Sequence, residues 1–377
     1  FRGGYQLANR APNINELFLD ASSSAVTLNT ADPCQATTTA RWGNHPENPN
    51  RAAAQALCEA IIGNTTSEFS ANPNGYTGGR TDGVQLQITS GNRNLQSEEG
   101  KTWTLGAVVR SPFAHPLLSN STLAVDWYSV KITDAITQVS AQTTYDLCFN
   151  RSGTSNPTYS YDDPNGVCRN ITRDDVTGVA SFVTSTYANT GTQETSGIDA
   201  TLSWRAALAD MGTSLPGFLS MNVSYTKLFE FKAQEFAGGS TVDYAGTMSR
   251  GGMFDWRTIT TLRYGASGWD VGLNWRHLPA IKHANYATDP DTPVQGAGAY
   301  DVFGLTGNFD FNDKFSIGVG IDNLFDRQPE RYGAGQVINV SPTNGGGSVT
   351  YNGAGSTVAS FYDVLGRRYF LNVKLRF

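Results

Sequence analysis

The sequence contains no long hydrophobic segment and few charged residues. No apolar run in its 377 residues approaches the length of about 18 that a transmembrane helix requires, which excludes a helical membrane protein. Charged residues make up only 16% of the chain, whereas the surface of a soluble domain is usually richer in lysine and glutamate. The net charge of −6 provides no basic surface, so nucleic acid is not an expected partner. This composition fits a protein with one face in lipid and the other lining a polar lumen.

Patterns that would indicate catalysis or metal binding are also missing. The sequence has four histidines, which are His45, His115, His277 and His283. Their spacing fits no metal site, and no GxSxG, HExxH or P-loop pattern occurs. The acidic segments 162–166 and 289–291 could offer oxygen atoms to calcium, but they lack a complete ligand spacing, so we interpret them as acidic turns. We predict no enzyme activity, no cofactor and no metal.

Cysteines are few, and they fall into two local pairs. Cys34 and Cys58 lie in one long polar region, and Cys148 and Cys168 lie in another. An even number in polar loops predicts two disulfides and an oxidising compartment; four separate thiols or a zinc site are the alternatives. We expect a short helix over 52–62, capped by Asn50, ended by Gly63 and clamped to Cys34 through Cys58.

Apolar and polar residues alternate through much of the chain, as in the segment WDVGLNW at 269–275. In a strand, such alternation places the two kinds of residue on opposite faces. The pattern predicts about ten strands, near 1–9, 98–111, 121–137, 187–207, 217–233, 252–265, 268–282, 299–311, 314–326 and 358–377. The adjacent aromatics Trp127 and Tyr128 indicate a phase slip or bulge, and Leu228 and Ile259 break the phase locally.

The connections between these strands alternate between long and short. The longer ones are 10–97, 138–186, 283–298 and 327–357, and 234–251 is intermediate in length. The shorter ones are 112–120, 208–216, Ala266–Ser267 and Asn312–Asp313. A soluble sandwich or solenoid has no reason to keep long loops at one end, whereas outer-membrane barrels place long loops outside and short turns in the periplasm. The sequence therefore predicts an all-β fold, a transmembrane antiparallel β-barrel, and both cysteine pairs lie in long loops.

The last predicted strand shows a complete alternation. Its outward residues would be Tyr369, Leu371, Val373, Leu375 and Phe377. The residues between them, Asn372, Lys374 and Arg376, would face the lumen. A final aromatic residue resembles the signal by which the barrel-assembly machinery recognises outer-membrane proteins for insertion.

Several short motifs resemble those of TonB-dependent receptors. Arg10-Ala11-Pro12 and Glu16-Leu17-Phe18 follow the first strand as in that family, and the stretch 92–106 looks like its return strand. Residues 322–326, DNLFD, are similar to the end of its penultimate strand, and Tyr362-Asp363 with Gly366-Arg367 precede the terminal strand. The motifs occur in the family's order from residue 1 to residue 377, so the resemblance covers the whole chain.

The resemblance implies a 22-stranded barrel filled by an N-terminal plug. Residues 1–377 would be its C-terminal portion with the last ten strands, and we expect the plug domain and the first twelve strands to lie outside this sequence. The lumen-facing Arg205 and Arg276 are expected to pair with carboxylates of the barrel or plug. The location implied is the bacterial outer membrane, with outer-membrane lipid and the TonB complex as partners.

The implied function is active import of a scarce ligand: a ferric siderophore first, then cobalamin, an oligosaccharide or a peptide. A passive porin-like channel and a surface β-protein acting in adhesion are the alternatives. Aromatic and polar loop residues are the candidates for ligand binding. They are Trp42, His45, Tyr76, Arg80, Tyr159, Tyr161, Tyr187, Tyr286, Arg331 and Tyr332.

Overall fold

A computed structural model describes most of the chain. The described residues are 1–28, 32–35, 50–63, 84–151, 153, 155–163, 166–235, 239–288, 290–292, 294–332, 337–340, 347–350 and 357–376. Among them, no helix has the length and apolar character needed to cross a membrane.

The strands of the described residues are numbered in chain order. They are β1 (Arg2–Arg10), β2 (Ser22–Thr27), β3 (Val84–Ser90), β4 (Glu98–Arg110), β5 (Ser121–Gln138), β6 (Ile171–Arg173), β7 (Ala180–Ala207), β8 (Phe218–Gln234), β9 (Val242–Asp243), β10 (Trp256–Ala266), β11 (Trp269–Leu278), β12 (Tyr300–Asn312), β13 (Phe315–Asp322), β14 (Val337–Val340), β15 (Gly347–Thr350) and β16 (Arg368–Leu375). The α-helices there are short: α1 (Ile14–Phe18), α2 (Arg51–Ile62), α3 (Pro116–Ser119) and α4 (Ala141–Cys148).

One antiparallel sheet dominates the fold. Its main path runs β1-β4-β5-β7-β8-β10-β11-β12-β13-β16, so each strand pairs with the next long strand in the sequence. These ten strands are the ten that the alternation predicts. In the described part of the chain, β1 pairs only with β4 and β16 only with β13, so the sheet is open between these two strands.

The outer face of the sheet carries a continuous apolar band. One row across it consists of Leu262, Leu273, Leu305 and Ile321, which lie directly opposite one another on β10 to β13. Leu273 and Leu305 are exposed although they are apolar, as expected of side chains that face lipid. Residues of the last strand continue the band, since Tyr369 and Leu371 lie opposite β13 residues and are exposed.

Aromatic rings are concentrated at both ends of this band. Near the short turns, the rings of Tyr264 and Trp269 lie 5.0 Å apart. Near the long loops, Trp256 stacks on His277 at 4.6 Å, and Trp275 stacks on Phe303 at 6.4 Å. Rings with a polar atom favour the boundary between lipid and water, so these two belts mark the membrane interfaces.

The local irregularities differ from the predicted ones. Trp127 and Tyr128 cause no bulge: Trp127 pairs with Ile198, and Tyr128 pairs with Gly197, where a Cβ would lie 2.6 Å from the Tyr128 hydroxyl. A glycine on the neighbouring strand therefore makes room for the second ring. Ile259 pairs regularly but lies on the inner face with Arg257, so its break of the apolar pattern is confirmed without a register shift. The break at Leu228 is confirmed by a register shift opposite Gly197.

Several predicted boundaries are also wrong. Strand β7 begins at Ala180 instead of 187, because its first residues pair with β3 and β6 from the loops. Strand β13 ends before Asn323, whose backbone is left-handed and whose side chain accepts a hydrogen bond from the Arg327 N–H at 2.7 Å. The loops contain the short strands β2, β3, β6 and β9, although we expected little regular structure there.

The face to which a residue belongs predicts how it tolerates charge. Replacing the outward Leu273 with arginine should destabilise the folded barrel by about 2–4 kcal/mol, because the guanidinium would enter lipid. Asn274→Arg, one residue along on the inner face, should have a smaller effect although it loses a hydrogen bond to Thr261. The folded fraction of the protein in phospholipid vesicles, followed by gel mobility against urea, measures both. Equal losses would contradict the assignment of faces.

Candidate functional site

The inner face of the sheet is polar and rich in ion pairs. Arg2 pairs with Asp126, and Arg263 pairs with Asp270 on the adjacent strand. Asn308 donates a further hydrogen bond to Asp270 at 3.2 Å. Most charges on this face are therefore neutralised by a partner in the sheet itself.

A network of two arginines and two aspartates lies on this face near the long loops. The guanidinium of Arg276 is 3.3 Å from an Asp322 carboxylate oxygen, and Arg368 contacts the same carboxylate. Arg368 also reaches Asp363 at 3.0 Å, and Arg276 lies 3.9 Å from that carboxylate. The expected pairing of Arg276 with a barrel carboxylate is thus confirmed. Arg205 instead lies over the Phe218 ring at 3.6 Å, and in the described structure it has no carboxylate partner.

A cavity of about 440 Å³ opens on the inner face next to this network. It is lined by Ser224, Thr226, Arg257, Thr258, Ile259, Arg276, His277, Leu278, Tyr300, Val302, Phe361 and Asp363. The lining combines apolar and aromatic side chains with hydroxyls and two guanidinium groups. The residues come from β8, β10, β11 and β12 and from the last loop, so the cavity lies at the end of the sheet that the long loops cover.

Arg257 differs from the other arginine of the cavity. Its side chain is exposed, and it lies opposite Thr226 in the ladder. The Thr226 hydroxyl donates to Asp199 at 2.7 Å. Within the described part of the chain, no carboxylate forms an ion pair with Arg257. The cavity therefore contains one guanidinium that the sheet neutralises and one that it does not.

The last loop closes one side of the cavity through aromatic packing. The rings of Tyr300 and Tyr362 lie 5.0 Å apart, and those of Phe254 and Phe361 lie 5.2 Å apart. Burial raises the pKa of Tyr362 to about 12, so this phenol stays neutral at physiological pH. Together with Ile281, these rings form a buried cluster that holds the Asp363 segment against the sheet.

The loop after β11 packs beside the same cluster. His283 is buried, its pKa is lowered by burial, and its ring lies 5.5 Å from that of Tyr332. Lys282 lies 3.6 Å from the centre of the Tyr286 ring. Tyr286 and Tyr332 thus lie on loops around the cavity without lining it.

A second buried unit forms from the loops after β1 and β5, and we call it the loop cap. It consists of the described parts of 19–90 and 139–186. Strand β3 pairs with β2 and, in parallel, with the extended β7, while β6 pairs with the other side of β7. The disulfides Cys34–Cys58 and Cys148–Cys168 are both present and buried, as predicted. Helix α2 ends at the left-handed Gly63 as predicted, but the Asn50 side chain makes no capping hydrogen bond.

A buried ion pair joins the two loops of the cap. Arg173 donates to both oxygens of Asp32 at 2.7 and 2.8 Å, and the two side chains are only 0% and 5% exposed. Tyr145 lies nearby with its hydroxyl 3.4 Å from Gln85, and burial raises the pKa of this tyrosine well above its usual value. Both side chains are buried, so removing either partner would leave the other charge buried without its counter-charge.

The predicted ligand-binding residues are only partly brought together. Trp42, His45, Tyr76 and Arg80, like Phe377 of the insertion signal, lie outside the described residues. Tyr159 and Tyr161 pack against the core of the loop cap, while Tyr187 lies on the extended part of β7. Tyr286, Arg331 and Tyr332 lie near the last loops, and none of the described candidates lines the cavity.

Sequence reasoning missed the residues that line the cavity. Arg257 and Ile259 lie at alternate positions of β10 and share the inner face with Arg263. The interruption of the apolar pattern at Ile259 was the available signal. Phe361 comes from a distant loop, and nothing in its local sequence indicates that it reaches the same cavity.

The chain has a clear match among protein families and among solved structures. The family model described as TonB dependent receptor-like, beta-barrel matches residues 1–324. No curated protein sequence matches the chain significantly.

Two of the similar solved structures are of the ferric enterobactin receptor PfeA from Pseudomonas aeruginosa. One is in complex with BCV-L6 and has a TM-score of 0.52 at 13% sequence identity, covering 99% of this chain and 38% of that chain. The other, a variant in complex with enterobactin, has a TM-score of 0.51 at 13% identity with the same coverage. The likeness concerns the fold, and this chain spans less than half the length of those receptors.

Two adjacent glycines allow the contact of the last loop to be tested. Gly251 and Gly252 both have left-handed backbones, but only at Gly252 would a Cβ meet the Phe361 ring, at 2.8 Å. Both Gly251→Ala and Gly252→Ala should introduce backbone strain of roughly 1 kcal/mol. Only Gly252→Ala should in addition displace the Phe361 ring and loosen segment 357–367. Hydrogen exchange of that segment in the full-length receptor measures the difference. Equal exchange in the two variants would show that the ring contact is unimportant.

The buried ion pair of the cap predicts a non-additive effect. Asp32→Asn leaves the Arg173 guanidinium buried without its carboxylate and should destabilise the cap by about 3–5 kcal/mol. The double change Asp32→Leu with Arg173→Met removes both charges and should cost less than the single change. Protease cleavage within the two loops under native conditions reports cap stability. A double variant cleaved faster than Asp32→Asn would disagree with this account.

Proposed function

The chain belongs to the TonB-dependent receptor-like β-barrel family, and on that basis we propose that it forms part of a receptor for TonB-coupled import of a ferric siderophore. Barrels of this family lie in the bacterial outer membrane, with their long loops outside. Ligand from the medium would enter between these loops and reach the inner face of the sheet. The strands that close the barrel, and the plug, would belong to the remainder of the receptor.

The observation that supports this proposal is the position of the cavity. It lies on the inner face at the loop end of the sheet, where a ligand from outside arrives first. Its volume of about 440 Å³ falls in the range of small-molecule sites, and it combines apolar walls with a few polar groups. A ferric siderophore is the ligand class we favour, because solved receptors of similar fold include complexes with enterobactin.

Strains in which the gene encoding this chain is disrupted provide the test. Under iron limitation, the disrupted strain should no longer grow on one class of siderophore from a panel. Supplying the full-length gene should restore that growth. Uptake of the radiolabelled ferric complex should stop when the proton-motive force is collapsed or TonB is deleted.

The remaining outcomes would point elsewhere. Uptake that continues without the proton-motive force would support a passive channel. Unchanged growth on every siderophore, together with lost surface attachment, would support adhesion and overturn the proposal.

A further inference from the structure

Arg257 is a positively charged residue of the cavity that has no carboxylate partner among the described residues. Its neighbour in the cavity, Arg276, lies within 4 Å of two carboxylates, and Arg263 on the same strand and face pairs with Asp270. Arg257 has no such partner in the described structure, although it lines the same cavity. A guanidinium is always charged, so this position carries a positive charge available to a bound group.

The residues that line the cavity include more positive than negative groups. Its lining includes two guanidinium groups, Arg257 and Arg276, and one carboxylate, Asp363. Asp363 is also bound by Arg368, which lies outside the lining, and His277 is 2.8 Å from its own partner Asp301. Two further acids in this region have other partners: Asp199 accepts the Thr226 hydroxyl, and Asp255, two residues before Arg257, accepts from Lys227. An anion entering the cavity would therefore meet Arg257 without displacing an existing ion pair.

The apolar part of the cavity lining determines what kind of anion fits. Ile259, Leu278, Val302 and the rings of Tyr300 and Phe361 form an apolar surface facing the same space. Such a surface favours a flat ring or branched hydrocarbon beside the negative group. The Ser224 hydroxyl offers an additional donor at the polar side.

We infer that Arg257 is the specificity-determining residue of this cavity and that it selects ligands whose negative charge adjoins an aromatic or hydrocarbon group. The Arg257 guanidinium would hold the negative group of the ligand by bidentate hydrogen bonds, and the ring attached to that group would lie against Phe361 and Tyr300. At about 440 Å³, the cavity holds one arm of a bulky chelate rather than all of it. This inference rests on the proposed function, because it concerns the same ligand.

The test compares charge variants of the full-length receptor. The probes are a ferric tris-catecholate complex, which is anionic and aromatic, and a ferric tris-hydroxamate complex without net negative charge. Arg257→Gln should weaken binding of the anionic complex by roughly tenfold or more, the factor expected for losing one charged hydrogen bond. Binding of the uncharged complex should change little. Arg257→Lys should recover part of the affinity, since it keeps the charge but loses the bidentate geometry.

A matched control is Arg263→Gln, which removes a positive charge from the same face of the same strand but away from the cavity. Surface abundance of each variant is measured in parallel. If Arg263→Gln weakened binding of the anionic complex as much as Arg257→Gln does, only the overall potential of the lumen would matter. If Arg257→Gln weakened binding of both complexes equally, the role of Arg257 would be structural. Either result overturns the inference. Binding of neither complex by the unmodified receptor would instead count against the proposed siderophore function. Binding of the uncharged complex alone would overturn only the role of Arg257.

Discussion

The constraint on which the whole structure depends is that backbone hydrogen bonds in lipid must be made within the protein. The ten long strands meet it with antiparallel ladders. In the described residues, the eight strands between β1 and β16 pair with a neighbour on both sides, and β1 and β16 pair on one side. Once those ladders are in register, every side chain is assigned to lipid or lumen. The apolar row through Leu273 and the ion pair between Arg263 and Asp270 are two consequences of one register.

The same register explains why the cavity has its particular charge. Ladder neighbours supply Arg263 with a carboxylate, and the last loop helps supply one to Arg276. Arg257 lies opposite Thr226, which is uncharged, so its positive charge is not neutralised by its ladder neighbour. This guanidinium is exposed on the inner face and lines the cavity together with apolar residues, so its charge is available to a bound group. The loop that carries Phe361 is held in place by rings and by the space left at Gly252.

The loop cap follows a different rule, because its residues lie above the membrane and can form a small core. Its two disulfides were predictable from cysteine number and location, since each pair lies within one loop. The pairing of β3 with β7 and the contact between Asp32 and Arg173 were not predictable. Both join segments that are distant in sequence, and no local periodicity encodes such contacts.

The sequence by itself determined the ten strands, the two faces of each and the alternation of long loops with short turns, because these features depend on residues two positions apart. It also determined the family, through motifs that follow strands in order. The tertiary structure alone decided which inner-face charges find partners and where a cavity remains. Arg257 and Arg276 look alike in sequence. Only folding brings Asp322 and Asp363 next to Arg276, and this separates a neutralised arginine from an available one.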